Sequence, residues 1–159
     1  MSVAQTRPID IASSSPATVA QAFIAAYRQA DTEALYALSS RAATARYVPV
    51  WNSGAMPITD AIRAWVKYPA AFADFDMPIT MVVEDVAQRN AVVTTLNKGV
   101  HVSDVDGIVA QGRTLACPHL FAIQVDANGL IDHVDVWCDQ LTLFQQLGFP
   151  ADFTAGDAP

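Results

Sequence analysis

With 159 residues, nine Lys and Arg against sixteen Asp and Glu, and a formal charge of −7, the chain has the length of one domain, since two would each sit near the lower limit for burying a core. The basic residues are scattered, with no stripe to neutralise phosphates or anionic headgroups, so nucleic acid and membrane surfaces are excluded as partners. Hydrophobic residues make up 52% and charged residues 16%, too few charges to solvate the whole surface, so a ligand or a second copy is expected to cover part of it.

Residues 1–14 are polar and Ser-rich and are expected to form a loose arm. The opening MSVAQTRPIDIASSSP lacks the charged start and apolar run of a secretory signal, and no apolar stretch approaches a bilayer span, so a cytoplasmic protein is expected. Ser15-Pro16 reads as an N-cap with proline in the first helical position, and Val19, Phe23, Ala26, Tyr27 and Ala30 follow at helical spacing over 16–30. Asp31 is placed to cap a short second helix carrying Leu35 and Leu38. Arg46 to Trp51 is β-branched and aromatic but contains Pro49, which predicts a short edge strand. Thr59 is placed to cap a third helix with Ile62, Trp65 and Val66 on one side, ending at Pro69.

From Ile79 to Trp137 the chain is rich in Val, Ile and Thr, with turn signals at Gln88-Arg89-Asn90, Asp106-Gly107 and 126–129, which predicts four long antiparallel strands. A last helix, 141–147, ends at the Gly148 and Pro150 stop, and 151–159 reads as a flexible tail. Helices first and strands afterwards give an α+β domain over 15–150: a strongly curved, cone-shaped antiparallel sheet wrapped around the N-terminal helices and enclosing a pocket.

Alternation sorts the candidate chemistry. On the last strand Val134, Val136 and Cys138 form one set, and His133, Asp135, Trp137 and Asp139 the other. The strand before carries Cys117, His119, Phe121 and Ile123 on one face, where a single imidazole among apolar residues points to a pocket, and His101 lies between Val100 and Val102. If His119 and Asp135 share a face they form a carboxylate–imidazole pair, and apolar walls would tune it for proton exchange near neutral pH. Each residue also has a plainer role: His101 as a core or interface histidine, Asp139 as a helix cap, Trp137 and Tyr27 as packing, and Asp135 in an outward salt bridge. Cys117 and Cys138 have neither a CxxC neighbour nor a flanking His at ligand spacing, so they read as reduced packing residues, with no metal expected. No GxSxG, P-loop or GxGxxG motif occurs, and no cofactor is expected.

The segments AFIAAYRQADTEALYALSSRAATARYVP and GRTLACPHLFAIQVDANGLIDHVDVWCDQLTLFQQLG resemble the first helices and strand, and the final hairpin and terminal helix, of SnoaL-like proteins of the nuclear transport factor 2-like superfamily, over Ala17 to Gly148. The resemblance implies the cone fold and, from SnoaL-like cyclases, an acid/base role for Asp135 with His119. Trp137 and Asp139 match a Trp-x-Asp of limonene-epoxide-hydrolase-like relatives, but Gly99 and His101 stand where those have Arg-x-Asp. Ketosteroid isomerase matches poorly: Phe23 falls at its oxyanion tyrosine, Tyr47 at its base aspartate and Phe121 near its protonated aspartate. Scytalone dehydratase is matched only loosely, by two histidines with an aspartate.

The reading that results is a cofactor-independent acid/base enzyme, a cyclase, isomerase or lyase. Its substrate would be a small hydrophobic carbonyl or aromatic compound, and the chain would form a homodimer through the sheet. His119, Asp135 and His101 are its candidate catalytic residues; Trp137, Asp139, Phe121, Phe23, Tyr27, Tyr47, Trp51 and Trp65 are its candidate substrate contacts. A non-catalytic binding or dimerisation module and an epoxide hydrolase are the alternatives.

Overall fold

The computed structural model describes residues 14–48 and 54–149. The N-terminal arm up to residue 13, the tail from 150 and the candidate contact Trp51 lie outside them. Helix α1 (Pro16–Arg28) starts as the sequence predicts: the Ser15 side chain accepts from the Thr18 N–H, and Pro16 occupies the first turn, where its missing donor costs nothing. It buries Val19, Ala20, Phe23, Ile24 and Tyr27 against the sheet, each large apolar side chain contributing about 1.5–3 kcal/mol by leaving water. Asp31 caps α2 (Thr32–Ala37) through the Ala34 N–H at 3.0 Å.

The next segment differs from expectation. Strand β1 (Ser39–Val48) is ten residues long and starts well before Arg46. It lies inside the sheet, antiparallel to β2 (Met56–Pro57) and parallel to β7 (Ile131–Cys138). The sheet is therefore mixed, and β1 is no edge strand. Helix α3 (Ile58–Trp65) begins directly after Pro57 with no side-chain cap, so Thr59 sits inside the helix. Pro69 does not end it. It lies in the first turn of a further short helix, α4 (Lys67–Ala71), where proline is tolerated. Strand β3 (Phe72–Asp76) has no alternation to betray it: after Phe72 its residues are exposed or half-buried.

The four strands read between Ile79 and Trp137 are present as β4 (Ile79–Asp85), β5 (Asn90–His101), β6 (Thr114–Val125) and β7. Sheet order is β2-β1-β7-β6-β5-β3, with β4 also paired to β5. One edge of β5 thus serves two partners: residues 90–95 pair with β4 and 98–101 with β3. Helix α5 (Gln140–Leu147) closes the fold and ends at Gly148 with φ 109°, a left-handed turn that favours glycine.

Burial alternates along β6, with Leu115, Cys117, His119, Phe121, Ile123 and Val125 on the inner face. Two apolar clusters line this face. The larger joins α1, α3 and the middle of the sheet; the smaller gathers Phe72, Val105, Ile108, Leu115, Cys117, Phe144 and Leu147 under α5.

Candidate active site

A cavity of about 30 Å³ lies where the two clusters meet, room for one or two water molecules. Tyr27 of α1, Tyr47 of β1, Tyr68 of α4, Asn97 of β5, His119 of β6 and Cys138 of β7 bring polar atoms to it. Phe72, Phe75, Leu115 and Leu143 form its apolar walls.

The strand register explains the polar cluster. Thr95 lies opposite His119 across the β5–β6 ladder, Asn97 opposite Cys117, and His119 opposite Cys138 across β6–β7, so these side chains share the inner face. The Thr95 hydroxyl donates to Asn97 Oδ1 at 2.7 Å, which leaves the Asn97 amide N–H groups for the cavity. His119 Nδ1 lies 3.1 Å from the Cys117 carbonyl oxygen. A carbonyl can only accept, so Nδ1 carries the hydrogen and Nε2 of the neutral ring keeps its lone pair.

The phenols are donors at any physiological pH. Burial, first, raises the Tyr27, Tyr47 and Tyr68 hydroxyls above the ordinary phenol value, and the neighbouring Asp106 adds to the rise at Tyr68. Behind them stands an aromatic wall: Trp65 packs 5.8 Å from Phe23, 6.0 Å from Tyr27 and 6.2 Å from Tyr47. Phe121 lies 6.2 Å from Tyr27. Of the substrate contacts expected from sequence, Tyr27 and Tyr47 line the cavity. Phe23, Trp65 and Phe121 are core residues that hold those phenols in place and do not line it.

The expected His119–Asp135 pair does not form. Asp135 lies across from Ala122 on β6 and from Arg46 on β1, on the outer face. There Arg46 donates to it through Nε at 2.8 Å and Nη2 at 3.0 Å, and His133 through Nε2 at 3.0 Å; His133 Nδ1 meets the Thr44 hydroxyl at 2.7 Å. The Arg46 bonds, and then His133, hold the Asp135 carboxyl below its ordinary range, which fixes it as a paired anion. The physical reason is parity: Val134 and Val136 take the inner positions of β7 and are fully buried, which forces Asp135 and Trp137 outward.

Asp139 is also displaced from a pocket role. It caps α5, accepting from the Thr142 N–H at 3.1 Å and the Thr142 hydroxyl at 2.6 Å. His101 is fully buried and stacks on Phe72 at 4.9 Å, but it does not line the cavity, and neither ring nitrogen has a partner among the described residues. A Cβ at Gly99 would meet Phe72 Cβ at 3.0 Å and the Ala73 carbonyl at 3.1 Å, so β3 occupies the space that an arginine there would need.

Asn97, Tyr68 and Cys138 were not among the sequence candidates. Asn97 shares parity with His101 and could have been found by extending that face down the strand, and Cys138 belongs to the set read as apolar. Tyr68 gave no signal, since only the fold brings α4 over the sheet. Among the described residues no group of three or more His, Cys, Asp or Glu could hold a metal ion, and no helix is long and apolar enough to cross a membrane.

No protein-family model matches the sequence, and no curated protein matches it either. Solved structures do match. A protein described as a SnoaL-like polyketide cyclase from a Jannaschia species is 13% identical, with a TM-score of 0.73 over 93% of this chain and 99% of that one. IdmH from Streptomyces antibioticus, described as a polyketide cyclase, is 20% identical, with a TM-score of 0.70 over 84% and 99%. A Catenulispora acidiphila protein of ketosteroid isomerase-like fold, in complex with trimethylamine, is 18% identical, with a TM-score of 0.65 over 89% and 99%. At these identities the likeness is one of backbone. The chain has the nuclear transport factor 2-like cone fold in the form that SnoaL-like proteins share, with a polar-tipped cavity at the join of its two cores.

Proposed function

We propose that the protein is a cofactor-independent enzyme that moves a proton on a small hydrophobic carbonyl compound, with His119 as the acid/base group. The observation that carries the reading is the His119 ring, anchored through Nδ1 at 3.1 Å from a backbone carbonyl, beside a cluster of buried hydroxyl and amide donors. Nε2 takes the proton α to the carbonyl. The phenols and the Asn97 amide hold the oxygen on which charge develops, and a donor aimed there is worth about 2.7–4 kcal/mol. Returning the proton elsewhere isomerises the substrate; attack by the enolate closes a ring; loss of a β-hydroxyl is dehydration.

The cavity is compact, and Tyr68 of α4 and Leu143 of α5 stand in its wall. Leu143 rides on α5, which is held against β6 by a pair of bonds at Gln146: its Oε1 accepts from the Ala116 N–H at 2.8 Å and its Nε2 donates to the Ala116 carbonyl at 3.1 Å. The outer face, with Arg46, Asp135 and Trp137, is assigned to the expected second copy; a monomer by light scattering would remove that assignment.

The test is solvent deuterium exchange at the α-carbon of a panel of small apolar ketones and 1,3-dicarbonyls, followed by NMR. Exchange above the buffer rate should fall about 10²-fold in His119→Gln, the usual cost of removing a general base. Exchange undiminished in that variant, with its fold intact, refutes the role of His119.

A further inference from the structure

The inner face of β5 carries Thr95, Asn97 and His101, with Gly99 between the last two. Thr95 and Asn97 bond to each other. His101 is fully buried, and neither Nδ1 nor Nε2 has a hydrogen-bond partner among the described residues. Buried polar groups are normally paired, and an apolar side chain would fill the same place without the cost of two orphaned nitrogens. Such a ring has hydrogen-bonding capacity left for a ligand.

One side chain separates it from the cavity. Phe72 lies directly across the β3–β5 ladder from His101 and stacks on its ring at 4.9 Å and 19°, and the same Phe72 lines the cavity together with Asn97. Gly99 contributes no side chain, and a Cβ there would meet Phe72 Cβ at 3.0 Å, so Phe72 covers the strand between Asn97 and His101. Phe72 also opens an edge strand whose pairing shifts between Ala73 and Asp76, with Asp74 at φ 52°, a backbone that side-chain-bearing residues rarely adopt. Turning the Phe72 ring aside disturbs this short, irregular strand and leaves the long β5–β6 ladder in register.

We propose that the substrate site continues past Phe72 to His101, and that His101 is a specificity-determining residue that binds a hydroxyl at the far end of the substrate. The inference rests on the proton-transfer reading for the near end, where the phenols and Asn97 take the ketone oxygen. An uncharged imidazole offers one donor and one acceptor nitrogen, the complement of a hydroxyl, which both gives and takes. Phe72 and Leu115 supply apolar walls between the two ends. Asn97 and His101 are four residues apart, about 13 Å along a strand, and a hydrogen bond of about 2.9 Å at each end leaves about 7 Å between the two ligand oxygens. The substrate class is therefore an ω-hydroxyketone, apolar in the middle and oxygenated at both ends, with 8-hydroxyoctan-2-one close to that reach.

The test titrates 8-hydroxyoctan-2-one and octan-2-one into the full-length protein carrying nitrogen-15-labelled histidine. Ring nitrogen resonances are followed by NMR, beside the rate of α-deuterium exchange for each ketone. The hydroxyketone should shift the His101 ring nitrogens and octan-2-one should not, and the hydroxyketone should have a kcat/KM about 10-fold higher, the worth of one hydrogen bond in a buried site. His101→Leu should bring the two ketones to within about 2-fold of each other, and His101→Gln, which keeps a donor and an acceptor, should retain part of the preference. A purely structural imidazole gives the same ratio in all three chains; that result, or His101 resonances unmoved by the hydroxyketone in the parent chain, overturns the proposal. The ring resonances report contact whether or not exchange occurs, so a failure of His119 as the base is distinguishable from a failure of this subsite.

Discussion

The two faces of the β6–β7 ladder handle polar groups in opposite ways. On the outer face Asp135 spends its oxygens on three short bonds from Arg46 and His133, and His133 is held in turn by Thr44. On the inner face His119 uses one ring nitrogen and Asn97 its carbonyl oxygen, while Nε2 and the amide N–H groups are left for whatever enters the cavity. A closed network of ions and acceptors holds strands in register, because every group already has what it needs. A buried group with capacity left over is where a substrate can be recognised.

The strongest way to break this contrast is to change one residue on each side. His119→Gln should cost about 10²-fold in deuterium exchange, whereas Asp135→Asn should leave exchange within about 3-fold, since it touches nothing in the cavity; a reversed order would mean that the outer face does the chemistry. Next in size, Gly99→Val should destabilise by about 1–3 kcal/mol, as overpacking does, because its side chain would press on Phe72 and the β3 backbone; chemical denaturation measures it. Asp139→Ala should lose the α5 cap at a cost of about 1 kcal/mol and weaken substrate binding through the Leu143 roof, seen as a higher KM with kcat little changed.

The smallest effect sharpens the outer face. Removing the Asp135 charge should lower Tm by about 2–4 °C at neutral pH. The folded pKa of Asp135 is depressed, so its contribution is complete above the unfolded carboxyl value of about 3.9 and disappears as pH falls through the lower folded value. The Tm difference between Asp135→Asn and the parent chain should therefore close in strong acid, and a gap that stayed constant to low pH would show the ion pair to be inert.

Much of the fold was legible in the chain itself. The Ser15-Pro16 and Asp31 caps, the four long strands after Ile79 and the Gly148 stop are local signals, set by hydrogen-bond capping, backbone freedom and the period of two. The same period correctly grouped Cys117, His119, Phe121 and Ile123, and correctly separated Val134, Val136 and Cys138 from Asp135 and Trp137. It could not say which set of β7 faces inward. That was settled by tertiary structure, through the parallel seat of β1 beside β7, which sets Arg46 against Asp135 and Thr44 against His133. Nor could local sequence place Tyr68 over the sheet or join the two cores around Asn97 and Cys138. Periodicity is a property of neighbours along one strand, whereas a cavity belongs to segments far apart in sequence, which only the packed sheet brings together.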